Sequence, residues 1–129
     1  MEGLSKVVHI LLVEDNVLNQ KLIFLNLKKL GFEIEIANNG QEAFEMVKDK
    51  NYDLILMDLM MPVMDGLEAS VKIREYESGL NRHSIIVGLT ANTFDADRDK
   101  CLAHGMDEYM SKPFDINEFE RIVRLLGVI

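Results

Sequence analysis

The sequence predicts an α/β domain: a doubly wound, five-stranded parallel sheet flanked by five helices. Three observations lead there. Five short apolar runs alternate strictly with five longer amphipathic stretches along the 129 residues, the pattern of right-handed β–α–β crossovers. Two of the runs, 53–57 and 84–89, are nearly all apolar, as strands covered by helices on both faces are. Reactive polar residues gather just past the ends of the runs, where open α/β sheets hold their ligands.

Residues 7–13 form the first apolar run, and an amphipathic helix follows over about 17–30, stopped by Gly31. Glu33, Ile34, Glu35, Ile36 and Ala37 alternate polar and apolar, which predicts a strand with one wet face at a sheet edge. Asn38, Asn39 and Gly40 make a turn before a helix over about 41–50. Residues 53–57 form a central strand, and Pro62 and Gly66 break the chain before a helix over about 67–77. A second buried strand at 84–89 is followed by a helix over about 95–104, with Gly105 as its C-cap. Residues 107–110 form a short last strand, and Asp115 caps a final helix from 116 to about 126. No repeat, low-complexity tract or linker interrupts the pattern, so residues 1–129 are expected to form a single domain.

Composition narrows the function. The chain is 48% hydrophobic and can bury a core, and its net charge is −8. That charge argues against binding a nucleic-acid backbone or an anionic membrane surface. It serves solubility, or it reflects acids converging on a cation. The single cysteine, Cys101, allows no intrachain disulfide and is expected to be a buried small apolar residue. No run is long enough to span a membrane and no secretory pattern opens the chain, so a cytoplasmic protein is expected. His9, His83 and His104 are scattered, away from the carboxyl ends of the strands, and are expected to be packing or surface residues.

The strand ends carry a constellation. The first strand ends in Glu14 and Asp15, the third in Asp58, the fourth in Thr90, and the fifth leads into Ser111, Lys112 and Pro113. In the strand order 2-1-3-4-5, strands one, three, four and five are neighbours, and these groups crowd one rim. Three packed carboxylates repel one another unless a cation intervenes. Mg²⁺ resolves the conflict, because it takes carboxylate oxygens, keeps several waters and bridges to a phosphoryl oxygen. Asp58 could then attack phosphorus as a carboxylate nucleophile. Lys112 could stabilise the charge in flight, and Thr90 could donate its hydroxyl to the product phosphoryl group.

Four segments are quoted for a resemblance: Leu12-Val13-Glu14-Asp15-Asn16; Asp58-Leu59-Met60-Met61-Pro62-Val63-Met64-Asp65-Gly66; Leu89-Thr90-Ala91-Asn92; and Gly105-Met106-Asp107-Glu108-Tyr109-Met110-Ser111-Lys112-Pro113-Phe114. From about residue 9 to 126 the chain resembles the receiver domains of two-component response regulators, whose sheet is flavodoxin-like. The resemblance implies that Asp58 is the phosphorylation site. It implies that Asp15 holds Mg²⁺ directly and Glu14 often through water, with Asp58 and the Met60 carbonyl as further ligands. It assigns Lys112 to the phosphoryl group and Thr90 and Tyr109 to a coupled switch. Ala91 becomes the small neighbour that leaves the site open, and the Lys112–Pro113 bond is expected to be cis. The segment around Glu14, Asp15, Asn16, Asn19 and Gln20 resembles receivers attached to hybrid sensor kinases. The implied phosphodonor is a histidine kinase or a histidine-phosphotransfer protein. The implied readout surface is the face of the fourth helix, fifth strand and fifth helix, where a homodimer could also form.

On the first helix, the 100° spacing sends Asn19, Ile23, Asn26, Leu27 and Leu30 toward the sheet, with Phe24 off that face. Leu18, Leu22 and Leu25 form a second stripe, which is either a docking ridge for the phosphodonor's helices or one side of a broadly buried helix. The residues at the strand ends also bear on three other functions. A haloacid-dehalogenase-like phosphatase or phosphotransferase would want an acid two residues after Asp58, where Met60 stands, so an enzyme with sustained turnover is not expected. A flavodoxin-like cofactor binder would want a small, neutral phosphate loop where Glu14, Asp15 and Asn16 stand. A pseudo-receiver acting only by binding would not need every site position filled.

Overall fold

The computed structural model describes residues 7–91 and 95–129, and the side chains of all of these except 95–97. Asn92, in the third quoted segment, lies outside the described residues. The elements alternate without exception: β1 (His9–Val13), α1 (Val17–Lys29), β2 (Glu33–Ala37), α2 (Gly40–Asp49), β3 (Leu54–Asp58), α3 (Gly66–Glu77), β4 (Ile85–Thr90), α4 (Asp95–Ala103), β5 (Glu108–Ser111) and α5 (Ile116–Leu125). The strands are all parallel in the order β2-β1-β3-β4-β5. The alternating strand 33–37 is indeed at an edge, and β3 is buried along its whole length.

The last three strands each sit one residue further along the chain than their apolar runs suggest, for an identifiable reason. Asp53 and Asp107 use their side chains before the ladder begins. Asp53 accepts from the His9 amide at 2.8 Å, and Asp107 accepts from the Ile86 amide at 2.8 Å. Asp58 and Thr90 are instead the last residues of their strands, paired in register with Leu89 and Ser111. The Asp58 and Thr90 side chains thus stand on the sheet rather than in the loops beyond it.

Side-chain alternation along the strands splits the core in two. On one face Leu11, Val13, Ile55, Met57 and Ile86 pack with Ala43 and Val47 of α2, Ala69 and Ile73 of α3, and Cys101 of α4. On the other face Ile10, Leu12, Leu54, Leu56, Val87 and Leu89 pack with Ile23 and Leu27 of α1 and with Phe119, Ile122 and Val123 of α5. Helix starts are capped by side chains: Asn16, Asn39, Asp65 and Asp115 accept from Asn19, Glu42, Glu68 and Asn117 amides respectively. Each such cap satisfies an amide that has no partner within the helix. The expected turn at Asn39-Gly40 is therefore a cap and the first helical residue. Gly105 ends the α4 segment with φ +94°, as expected of a C-cap.

At the amino end of the sheet, a buried ionic network ties α3 to β4 and β5. Arg74 donates to the Glu77 carboxylate and the Ser84 carbonyl, and to Asp107 and the Gly105 carbonyl, all within 2.9 Å. Glu77 is only 2% exposed, and its other oxygen accepts from the Ser84 amide and hydroxyl. His83 lies 2.9 Å from Asp107 through its Nε2.

The loop between β3 and α3 is set by close approach. The Gly66 amide donates to the Leu59 carbonyl at 3.1 Å, and a Cβ on Gly66 would stand 2.3 Å from the Asp58 carbonyl oxygen. Only glycine lets α3 start against the end of β3. Within the same loop Val63 has φ +70° and is 80% exposed. A β-branched side chain in this left-handed region is strained by about 1–3 kcal/mol, and little packing holds it there. Val63→Asn is expected to stabilise the protein by about 1 kcal/mol and raise Tm by about 3–5 °C. A thermal melt giving an unchanged or lower Tm would show that the loop does not carry this strain.

Candidate functional site

The carboxyl ends of β1, β3, β4 and β5 bring together the groups that the sequence places past each strand. Asp58, the last residue of β3, is 2% exposed, and Glu14, the residue after β1, is 1% exposed. Asp15 follows Glu14 and is exposed. One carboxylate oxygen from each of the three lies within 4.8 Å of the others. Lys112 reaches in from beyond β5, its Nζ 3.0 Å from Asp58 Oδ1 and 3.9 Å from Glu14 Oε1. The Lys112 amide donates to the Thr90 carbonyl at 2.8 Å, so the end of β4 positions the base of the lysine. The Met60 amide donates to the same Asp58 Oδ1 at 3.2 Å, while the Met60 side chain is exposed.

The electrostatics are unbalanced. Burial pushes the Glu14 carboxyl above its ordinary range. The hydrogen bond from the Asn16 amide opposes that shift, the nearby Asp58 carboxylate adds to it, and Lys112 and the Asn19 side chain oppose it. Among the described residues, Lys112 is thus the one cation paired with the two buried acids. Glu14 Oε1 is buried with no hydrogen-bond partner, since Lys112 at 3.9 Å is beyond hydrogen-bonding range. An orphaned buried carboxylate oxygen beside two other carboxylates is an all-oxygen donor set that fits a hard divalent cation. The residues present fit Mg²⁺.

The remaining expected residues fall as follows. Thr90 is 5% exposed at the end of β4, in register with Ser111. Tyr109 lies on the edge strand β5, half-buried and packed against the α2–α3 side of the core, outside the carboxylate cluster. The Lys112–Pro113 peptide is cis. Cys101 is fully buried, His83 is exposed, and His9 and His104 are partly exposed. Leu18, Leu22 and Leu25 are 76%, 55% and 60% exposed, so α1 is not broadly buried. A groove of about 310 Å³ runs from Glu14 and Lys112 past Asn19, Ala91 and Phe114 to Leu22, linking that stripe to the acidic site.

Of the residues expected to face the sheet from α1, Ile23 and Leu27 are buried, Asn19 and Asn26 are only partly buried and Leu30 is exposed, while Gln20, not expected there, is buried. Leu30 is the C-cap, beyond the last full turn, and is 37% exposed. Gln20 is buried because its amide nitrogen has two partners: the Glu14 carbonyl at 2.6 Å and Asn38 Oδ1 at 2.8 Å. A hydropathy pattern counts glutamine as a surface residue and cannot show such pairing.

Comparison with known proteins agrees with this geometry. The response regulator receiver domain model matches residues 10–124. Hybrid signal transduction histidine kinases K and F of Dictyostelium discoideum are 40% and 45% identical over 92% and 89% of this chain. The chain spans only 10% and 11% of those two relatives' lengths. Among solved structures, the receiver domain of the sensor histidine kinase PA1611 from Pseudomonas aeruginosa, with magnesium coordinated in its active-site cleft, is 41% identical. Its TM-score is 0.83, over 95% of this chain and 99% of that one. The co-crystal structure of the Saccharomyces cerevisiae histidine phosphotransfer protein Ypd1 with the receiver domain of Ssk1 gives a TM-score of 0.85 at 34% identity, over 95% of this chain and 92% of that one. The family model covers nearly every element of the sheet and all four strand ends of the site, and this chain belongs to the response regulator receiver domain family.

Proposed function

We propose that this chain is a phosphoacceptor switch in a two-component phosphorelay, taking a phosphoryl group onto Asp58 from the phosphohistidine of a histidine kinase or histidine-phosphotransfer protein. The observation that carries the reading is the Lys112 ammonium 3.0 Å from Asp58, beside a carboxylate cluster with an unpartnered buried oxygen. Both described contacts of the Asp58 carboxylate, from Lys112 and the Met60 amide, fall on Oδ1. Oδ2 is then the oxygen that attacks phosphorus. The new O–P bond forms as the P–N bond to the donor imidazole breaks, and the imidazole leaves with the bonding pair. Glu14, Asp15, Asp58 and the Met60 carbonyl would hold Mg²⁺, which when bound supplies positive charge to the equatorial oxygens. Lys112 neutralises a phosphoryl oxygen, and the Thr90 hydroxyl donates to another.

The product adds close to two negative charges at this rim. Thr90 draws toward the phosphoryl group, and Tyr109 moves from its half-buried place into the space beside it. The shift favours one of two existing arrangements of the α4–β5–α5 face, which reads out the state and on which a second copy could pair. The protein is not a turnover enzyme, since no acid stands two residues after Asp58, where Met60 lies. Its chemistry is limited to self-phosphorylation and self-dephosphorylation. Residues 1–129 act as one receiver domain in the cytoplasm, and among the described residues no helix is long and apolar enough to cross a membrane. The exposed stripe Leu18, Leu22 and Leu25 seats the donor's helices, and the groove beside Leu22 leads its histidine toward Asp58.

Two experiments test this reading. Incubation with acetyl phosphate and Mg²⁺ is expected to add the mass of one phosphoryl group, dependent on Mg²⁺ and lost in Asp58→Asn. Lys112→Ala is expected to slow the reaction about 100-fold or more. A folded protein that gains no mass under these conditions would leave only a pseudo-receiver. In the second experiment, Leu18→Glu and Leu25→Glu are expected to slow transfer from a phosphorylated histidine-phosphotransfer protein at least about tenfold while leaving acetyl phosphate reactivity unchanged. Equal rates in both assays would remove α1 from the docking surface.

A further inference from the structure

We propose that Gln20 is a positioning residue for the acidic pair, its side-chain amide locking the Glu14–Asp15 turn in the shape that holds a divalent cation. This rests on the reading that Glu14 and Asp15 bind Mg²⁺. Glu14 sits where β1 gives way to α1, and both polar groups of its backbone are taken. Its amide donates to the Ala37 carbonyl at 3.1 Å, at the end of β2. Its carbonyl accepts from Gln20 Nε2 at 2.6 Å, one turn into α1.

The same Gln20 nitrogen donates to Asn38 Oδ1 at 2.8 Å, in the loop between β2 and α2. Asn38 is in turn oriented from α2, because its side-chain and backbone amides both donate to Glu42 Oε1, at 3.1 and 2.9 Å. A continuous chain of hydrogen bonds therefore runs from Glu42 through Asn38 and Gln20 to the Glu14 carbonyl. It braces the β1–α1 turn against a neighbouring loop.

The brace has a specific consequence. Asp15 is exposed and its carboxylate makes none of the described hydrogen bonds, so the backbone of the turn is what sets where its side chain starts and which way its Cα–Cβ bond points. Glu14 is buried with one oxygen unpartnered, and its side chain cannot be steered by solvent. Holding the Glu14 carbonyl fixes the peptide that joins the two ligands, and with it the angle between their carboxylates. Outer-shell hydrogen bonds of this kind orient metal ligands and tune metal affinity.

The test measures Mg²⁺ itself, without phosphodonor. MgCl₂ is titrated into the unphosphorylated protein and followed by calorimetry and by the amide resonances of Asp15 and Asn16. Gln20→Met keeps the length and bulk of the side chain and removes the donor; its Mg²⁺ Kd is expected to rise about 10-fold or more. Asn38→Ala, at an exposed position, breaks the brace from outside the site and guards against a poorly folding Gln20→Met; it is expected to raise Kd in the same direction by a smaller factor. Ile23→Val, a mild core change on the same helix, controls for stability alone and is expected to leave Kd unchanged. At saturating Mg²⁺ the acetyl phosphate rate of Gln20→Met is expected to return to within about threefold of the parent, since the donor acts only through the metal ligands. A Kd in Gln20→Met and Asn38→Ala equal to that of the parent would overturn the positioning role while leaving the receiver chemistry intact. Failure of the unaltered protein to bind Mg²⁺ at all would instead remove the reading on which the role rests.

Discussion

Two carboxylates, Glu14 and Asp58, are buried beside each other at the carboxyl rim of the sheet, with a third, Asp15, in reach of both and a single lysine between the two buried ones. Burying like charges together is unfavourable, and it persists only where the surrounding structure over-determines it. The surrounding structure does so here. Asp58 is fixed at the end of a strand paired on both sides. Glu14 is held through its backbone by β2 and by Gln20. Lys112 is anchored by the Thr90 carbonyl. The loop beyond Asp58 is pulled back onto the strand by Gly66.

The other end of the sheet shows what a buried carboxylate looks like when its only task is architecture. Glu77 is as buried as Asp58, but both of its oxygens are engaged, one by Arg74 and the other by Ser84. The same arginine also satisfies Asp107 and two carbonyls. Every carboxylate oxygen of Glu77 and Asp107 has a partner there, and the one buried atom without a hydrogen bond is a cation's, Arg82 Nε at 3.7 Å from Glu77, so no acid is left short of positive charge. Among the described residues the cluster at Glu14 and Asp58 does not close, because Glu14 Oε1 has no hydrogen-bond partner and Lys112 is the one cation paired with the two carboxylates. The contrast within one sheet is the physical ground for reading the carboxyl rim as a binding site and the amino rim as a clamp.

Three leucines on α1 are more than half exposed, on a helix whose other face is firmly packed. Surface leucines scattered singly need no explanation, but a stripe at helical spacing beside the mouth of a reactive site does. One of the three, Leu22, lines the same groove as Glu14 and Lys112.

The sequence by itself determined the fold class, the strand order that the constellation required, the edge position of the 33–37 strand and the identity of the clustered residues. It could do so because apolar periodicity and strand-end chemistry are local properties, readable from neighbours in the chain. It also predicted the Asp115 cap and the stop at Gly105, where a single residue's backbone preference decides the outcome. Only the tertiary structure decided where β3 and β5 begin, because Asp53 and Asp107 spend their carboxylates on amides 44 and 21 residues away. Only the fold exposed the Leu18, Leu22 and Leu25 stripe and turned Gln20 inward. Hydropathy treats glutamine as a surface residue, and burial of its amide became favourable once β1 and β2 had placed the Glu14 carbonyl and Asn38 within reach. Long-range hydrogen-bond partners of this kind have no signature in a single sequence, and they set the angle at which the legible residues meet.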